Sequence, residues 1–171
     1  GIHHKANIVD TFLGGMITSL INGTSNQNLI IYGPKKPINS VKRLVVAVPQ
    51  MAELEVGFDV WFDRIKNIAS QLSIPVVFYA NKNTTIALKK QCEIHSSLNV
   101  SFRELASWED FLIISKHIKH GDTLIVITAR KATLSYNNLF EKIPYYLNKY
   151  FTDNNFLLIY PRQTAPDGTD N

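Results

Sequence analysis

The chain has 171 residues, 45% of them hydrophobic and 19% charged, a balance that excludes a disordered protein and predicts one globular domain, or one and a fraction. The formal net charge is only +4 and the basic residues are scattered, so we expect no nucleic-acid partner. No apolar run approaches the roughly 20 residues of a membrane-spanning helix, the N-terminus lacks a signal-peptide layout, and the single Cys92 excludes an internal disulfide, so we expect a soluble fragment from a reducing compartment.

The first forty residues predict a helix, a strand and a linker. Apolar side chains recur at helical spacing between Ile8 and Ile21. Because Gly14 and Gly15 each weaken a helix interior by about 1 kcal/mol, the helix is expected to begin near Gly15. Residues 29–32 (LIIY) predict a short strand, and residues 33–40 (GPKKPINS) a linker.

The clearest unit follows at residues 43–72, where a strand leads into a long amphipathic helix. Residues 43–48 (RLVVAV) form a valine-rich run of the kind found in a parallel sheet covered on both faces. From Leu54 to Leu72, apolar residues recur at three- and four-residue spacing, and Trp61 and Phe62 belong to this stripe. The junction between strand and helix is where open α/β sheets usually bind ligands.

Strands and helices alternate to the C-terminus. Further strands are predicted at residues 75–80, 100–105, 122–128 and 155–160, and further helices at residues 84–92, 107 to about 117 or 119, and 144–151. Ser107 is expected to cap its helix, because acidic residues follow in the first turn. This order predicts an α/β fold with a doubly wound parallel sheet of five strands, which is Rossmann-like.

The N-terminal segment is similar in sequence to the end of the segment that follows it. The two match at these aligned positions: Gly1 with Thr128, Met16 with Ile143, Leu20 with Leu147, and residues 29–32 (LIIY) with residues 157–160 (LLIY). We predict that residues 1–40 are the final helix and strand of a first domain with its linker, that residues 41–161 are a complete second copy, and that residues 162–171 are a flexible tail. A chance likeness between two helix-turn-strand units is the alternative.

A five-stranded sheet of this order, present as one copy and a fraction, resembles the universal stress protein family. The family's fingerprint is a loop after the fourth strand, G-x-x-G followed further on by G-S or G-T, whose backbone amides hold nucleotide phosphates. The resemblance places a degenerate form of this nucleotide-binding loop at Gly1, His4, Gly14 and Gly15. The equivalent positions of the complete copy are Thr128, Lys131, Glu141 and Lys142, which include no glycine.

The resemblance implies that the complete copy binds ATP weakly or not at all, and we predict no cofactor. Pro49 and Gln50 hold the place of the aspartate that the family has after its first strand. Glu53 and Glu55 add negative charge there, which would repel a phosphate. They are interpreted either as ligands of a cation or as acidic residues that complement a helix dipole, and we favour the second.

Two pairs of histidines have alternative interpretations. His3 and His4 could bind a metal, but no third ligand accompanies them at a useful spacing, so we favour a loop pair and predict no metal site. His117 and His120 could respond to pH, and the favoured alternative is that they are exposed residues at a helix end. The sequence contains no G-x-S-x-G and no H-E-x-x-H motif, and we predict that the protein is not an enzyme.

Three longer phrases narrow the resemblance. The stretches HHKANIVDTFLGG, PINSVKRLVVAVP and AELEVGFDVWF are similar to the cytoplasmic region that follows the membrane domain in a group of bacterial cation/proton antiporters. In that family two stress-protein-like domains stand in tandem behind the transporter. The resemblance implies a regulatory or interaction domain at the cytoplasmic face of the inner membrane, with the transport domain of the same polypeptide as its partner.

The predicted edge strands complete this hypothesis. We expect residues 29–32 and 155–160 to pair through their free edges, in a homodimer or a pseudo-dimer, because pairing removes an exposed edge. The alternative function is a nucleotide-binding universal stress protein that uses the degenerate loop.

Overall fold

Six β-strands form a single sheet in the computed structural model, which describes residues 29–33, 40–94, 98–129 and 131–161. The strands are β1 (Leu29–Gly33), β2 (Arg43–Ala47), β3 (Val76–Ala80), β4 (Val100–Glu104), β5 (Asp122–Ile127) and β6 (Asn155–Tyr160). The α-helices are α1 (Phe58–Leu72), α2 (Lys82–Ile94), α3 (Ile114–His117) and α4 (Ile143–Tyr150). Short 3-10 helices occupy Ala52–Leu54, Trp108–Ile113 and Asn138–Lys142.

The strand order β1-β6-β5-β2-β3-β4 is doubly wound, as the sequence predicts. Strands β2 to β6 are parallel, whereas β1 lies antiparallel to β6 at one edge of the sheet. The chain builds outward from β2 through β3 to β4, then crosses back to β5 and continues to β6. The direction of winding therefore reverses between β2 and β5. The predicted α/β fold with five parallel strands is confirmed.

Helices α1 and α2 cover one face of the sheet. Successive strand residues point to opposite faces, so Leu44 and Val46 pack on this side. The ring of Phe62 stacks on that of Phe78 with 5.7 Å between centroids, and Phe78 stacks on Phe102 at 5.8 Å. The predicted apolar stripe is confirmed from Phe58 to Ala69 as the side of α1 that faces the core, but Leu54, which the sequence pattern assigns to it, is 63% exposed and precedes the helix.

The remaining helices cover the opposite face. This second core contains Val45, Ala47, Trp108, Phe111, Phe140, Ile143 and Leu147. Both helical segments on this face begin with a 3-10 turn that a polar side chain caps: Ser107 accepts the Glu109 N–H at 3.2 Å, and Asn137 accepts the Leu139 N–H at 2.9 Å. The predicted cap at Ser107 is confirmed, but the helix after it is a 3-10 helix followed by the short α3.

The starts of α1 and α2 differ from the predictions. Helix α1 begins at Phe58 rather than Leu54, because a 3-10 helix and a turn precede it. Helix α2 begins two residues earlier than predicted, at Lys82. The cause is Asn81, whose Oδ1 accepts the Thr84 N–H at 2.9 Å and so satisfies a donor of the first turn.

A partly buried ion pair joins β2 to β5 at their amino ends. Arg43 donates to Asp122 from Nε at 2.9 Å and from Nη2 at 2.6 Å. The carboxylate also accepts the Lys119 N–H at 2.7 Å, and its side chain is 2% exposed. The hydrogen bond from the guanidinium to this carboxylate raises the pKa of Arg43 above its ordinary value. The pair therefore fixes the two strands between which the winding reverses.

Strand β1 pairs with β6 in a symmetric register. Leu29 lies opposite Tyr160, and Tyr32 lies opposite Leu157. Residues 29–32 are therefore paired with residues 157–160, the two tetrapeptides that match in the sequence. The first residue of each tetrapeptide faces the last residue of the other, which is the pattern of a local two-fold axis.

Candidate functional site at the carboxyl ends of β2 and β5

The carboxyl ends of β2 and β5 are the candidate functional site. The two strands are adjacent and parallel, but the chain leaves them toward opposite edges of the sheet. Ligands of open α/β sheets bind where the winding reverses in this way. The loop 48–57 follows β2, and the loop 128–137, described except for residue 130, follows β5.

Glu55 joins these two loops. Its Oε1 accepts hydrogen bonds from the backbone N–H and from the hydroxyl of Ser135, each at 2.9 Å. Ser135 is only 4% exposed, so the bonds lie largely shielded from water, where a charged acceptor binds more strongly. We call this arrangement the Glu55–Ser135 clamp. It occupies donors that an anionic ligand of the loop would need.

Glu53 makes a second bridge, to α2. The hydroxyl of the buried Thr84 donates to both carboxylate oxygens of Glu53, at 2.9 and 3.2 Å. The acidic residue in the first turn of α1 is Asp59. The prediction that Glu53 and Glu55 complement the dipole of the long helix is therefore wrong, because both precede it and act as hydrogen-bond acceptors between segments.

Backbone conformation also marks the two loops. Met51 and Ala132 adopt the left-handed region, with φ of 66° and 70°. The third non-glycine residue with positive φ in the described ranges, Ser73, only ends α1. Left-handed non-glycine residues cost free energy and concentrate at binding and switch sites. The Gln50 side chain, which donates to the Ala106 carbonyl at 2.6 Å, fixes the start of the first loop.

The positions that the sequence resemblance equates with nucleotide-binding glycines, Thr128, Lys131, Glu141 and Lys142, carry other interactions. The N–H and the hydroxyl of Thr128 both donate to a backbone carbonyl of β6, each at 2.8 Å. Lys131 forms an exposed ion pair with Glu141 at 3.5 Å, while Lys142 is exposed. Tyr136 donates to Glu141 at 3.2 Å, and its pKa is raised by loss of solvation and by this hydrogen bond. None of these four positions is a glycine, so a side chain stands at each of them.

The predicted residues of the degenerate nucleotide loop, Gly1, His4, Gly14 and Gly15, lie outside the described residues, as does His3. Across the described ranges, no group of three His, Cys, Asp or Glu side chains is placed to hold a metal ion. His117 and His120 are both exposed, at the end of α3 and in the turn before β5.

Apolar side chains project from the tips of the same two loops. Met51, Leu54 and Val56 on the first loop and Leu134 on the second are between 48% and 64% exposed. Glu55 lies between Leu54 and Val56 in the chain, and its partner Ser135 follows Leu134. The Glu55–Ser135 clamp therefore holds the apolar tips of the two loops near one another.

Sequence reasoning identified Glu53 and Glu55 but missed their partners. Ser135 is 80 residues from Glu55, and Thr84 is 31 residues from Glu53. A lone serine in a polar loop carries no signal of such contacts. Only the strand order, which places the ends of β2 and β5 side by side, could have suggested Ser135.

Comparison with known proteins assigns no family to the chain. No protein-family model matches the chain, and no curated protein sequence matches it either. Among the described helices, none has the length and apolar character needed to cross a membrane.

Proposed function

We propose that this chain is a non-enzymatic regulatory or interaction domain of a monovalent cation/proton antiporter, at the cytoplasmic face of the inner membrane. The observation that carries the proposal is the symmetric pairing of β1 with β6. It joins the two tetrapeptides that the internal repeat equates, as a pseudo-dimer of two related domains would do. Tandem domains of this kind follow the transporter in the family that the sequence resembles.

The chemistry of the candidate site supports a role without a nucleotide. The donors of Ser135 are already bound to the Glu55 carboxylate. A phosphate bound near Ser135 would be repelled by the negative charges of Glu53 and Glu55, because bringing like charges together costs free energy. Lys131 and Glu141 occupy positions that the resemblance equates with glycines of the stress-protein family.

The apolar loop tips support an interaction role. Leu54 and Leu134 are more than half exposed and lie on the two loops joined by the Glu55–Ser135 clamp. Exposed apolar residues grouped on one surface are typical of a contact with another protein. We propose that they touch the transport domain of the same polypeptide.

The complete gene product tests this proposal. We expect its coding sequence on the N-terminal side of residue 1 to encode transmembrane helices, and its everted vesicles to exchange Na⁺ or K⁺ for protons. The double variant Leu54→Ser/Leu134→Ser should keep the exchange but shift its dependence on cation concentration or pH. The matched control is Ile94→Ser, which alters an apolar residue of similar exposure at the far end of α2. A gene product without transmembrane helices or without exchange would refute the proposal.

The alternative function is a nucleotide-binding universal stress protein. The observation that favours it is the strand order, because ligands of open α/β sheets bind where the winding reverses, as it does between β2 and β5. Thermal unfolding with increasing ATP or AMP separates the two functions. A ligand that binds only the folded state raises the melting temperature in a saturable way. We expect no such rise, and a saturable rise would favour the alternative.

A further inference from the structure

We propose that the open edge of β4 binds an extended acidic peptide segment, which joins the sheet as an additional strand. Strand β4 ends the sheet on its side, and its only neighbour within the described ranges is β3. Extended peptides commonly bind proteins by adding to such an edge through main-chain hydrogen bonds. The inference goes beyond the antiporter proposal and is independent of it, because it needs only the edge and its surroundings.

The backbone of β4 has donors and acceptors on its outer side. The Leu105 N–H donates to the Ala80 carbonyl at 2.9 Å, and the Val76 N–H donates to the Asn99 carbonyl at 2.9 Å. Odd-numbered residues of this segment therefore direct their N–H and C=O groups toward β3. In a parallel strand the direction alternates from residue to residue. The outward groups belong to Val100, Phe102 and Glu104.

A groove of about 400 Å³ runs beside this edge, between β4 and α2. Its apolar wall includes Ile86, which is 56% exposed, and the ring of Phe102. The side chains of an added strand alternate between the two faces of the sheet. Every second residue of the peptide would therefore face this groove, and an apolar side chain there would contact Ile86 and Phe102.

The charges of the groove determine the chemistry of the partner. Two basic side chains line it, Lys82 and Lys89, against one acidic side chain, Glu104. All three residues are exposed, and the Lys89 ammonium lies 5.5 Å from the centre of the Phe102 ring. Acidic residues two positions before and two positions after this apolar residue would face the same groove and meet these cations, so the structure favours an acidic segment over a neutral or basic one.

Amide exchange of the protein, followed by NMR, tests the proposal with synthetic peptides. The probe is acetyl-GETVTEG-amide, whose valine and two glutamates share one face of the strand, and its charge-reversed control is acetyl-GKTVTKG-amide. We expect the acidic peptide to slow exchange of the Phe102 and Glu104 amides by about tenfold or more at saturation, because these amides gain a hydrogen-bond partner. Exchange of the Ser101 and Arg103 amides, which already face β3, should change little. The same acidic peptide with alternate backbone nitrogens methylated should lose this effect, because it cannot donate to the strand.

Charge variants of the protein provide the second arm. The variant Lys82→Glu/Lys89→Glu should weaken binding of the acidic peptide by roughly tenfold at low ionic strength, where salt screens the attraction between exposed charges only weakly. Lys90→Glu is the matched control, because Lys90 is an exposed lysine of α2 that does not line the groove. Binding to the two proteins is compared after thermal unfolding has shown that both are folded.

Several results would overturn the proposal. Absence of binding would show that the lysines only protect the edge against unwanted pairing. Binding that leaves the Phe102 and Glu104 amides unprotected would show that the peptide is held by surface charge alone and does not add to the sheet. Equal binding of the basic peptide would remove the role of the cations. Protection that grows with protein concentration alone would identify a second copy of this chain as the occupant.

Discussion

Removal of the Glu55 carboxylate is expected to lower the free energy of unfolding by about 2 kcal/mol. The carboxylate accepts two hydrogen bonds of 2.9 Å from the buried Ser135. A hydrogen bond to a charged group contributes about 1.5–3 kcal/mol when it is well shielded. Glu55 itself is partly exposed, so solvent weakens its charge and the two bonds together contribute about 2 kcal/mol. Glu55→Gln keeps an oxygen acceptor and should lose about half as much.

Urea unfolding of a double-mutant cycle measures this contribution. Glu55→Ala, Ser135→Ala and the double variant together isolate the bond of the hydroxyl, for which we expect a coupling of about 1 kcal/mol. Glu93→Ala, which removes an exposed carboxylate of α2, is the control and should stay within about 0.5 kcal/mol of the parent. A loss in Glu55→Ala as small as that of the control, or a coupling of zero, would mean that the clamp does not hold the loops together.

Three further predictions concern the rest of the fold. Asp122→Ala should lower the free energy of unfolding, measured with urea, by about 3 kcal/mol, because it leaves the guanidinium of Arg43 without its ion-pair partner. The double variant Arg43→Met/Asp122→Leu should have a free energy of unfolding closer to that of the parent, and equal losses in the two variants would contradict this. Phe62→Ala should lose about 3–5 kcal/mol, visible as a lower melting temperature, because its fully buried ring stacks on Phe78. Burial raises the pKa of the Cys92 thiol, so its alkylation by iodoacetamide should rise with pH at a higher midpoint than in the unfolded chain. Because the folded protein holds this proton more tightly, the contribution of Cys92 to the free energy of unfolding should fall as the pH rises above the pKa of the thiol in the unfolded chain. An alkylation midpoint equal to that of the unfolded chain would refute this prediction.

The strands could be predicted because their pattern depends on burial alone. Each observed strand ends within one residue of its predicted bounds. A strand such as β2 is buried on both faces, so the residues in its interior must be apolar, and the ends of the apolar run lie close to the ends of the strand. The helix starts were less predictable. A 3-10 turn before α1 contains apolar Leu54 at helical spacing, and the cap at Asn81 lies inside a polar stretch that also fits a loop.

The candidate site could be predicted in place but not in detail. The position of the site follows from strand order, and Glu53 and Glu55 were visible as charges beside it. Their partners Thr84 and Ser135 come from other segments, and a single sequence contains no pattern for such pairs. The interpretation of the two acids as dipole partners failed because it depended on a helix start that the chain does not use.

The pairing of β1 with β6 also bears on the order in which the sheet forms. Leu29 and Tyr160 are 131 positions apart in the chain (160 − 29), so their contact closes the longest loop of any strand pair described here. Closure of a long loop is entropically costly, and such contacts tend to form late in folding. The five parallel strands make their mutual contacts without β1. We therefore expect β1 to join last and to detach first, and at high concentration a detached β1 would find the β6 edge of a second molecule, which gives a strand-exchanged dimer.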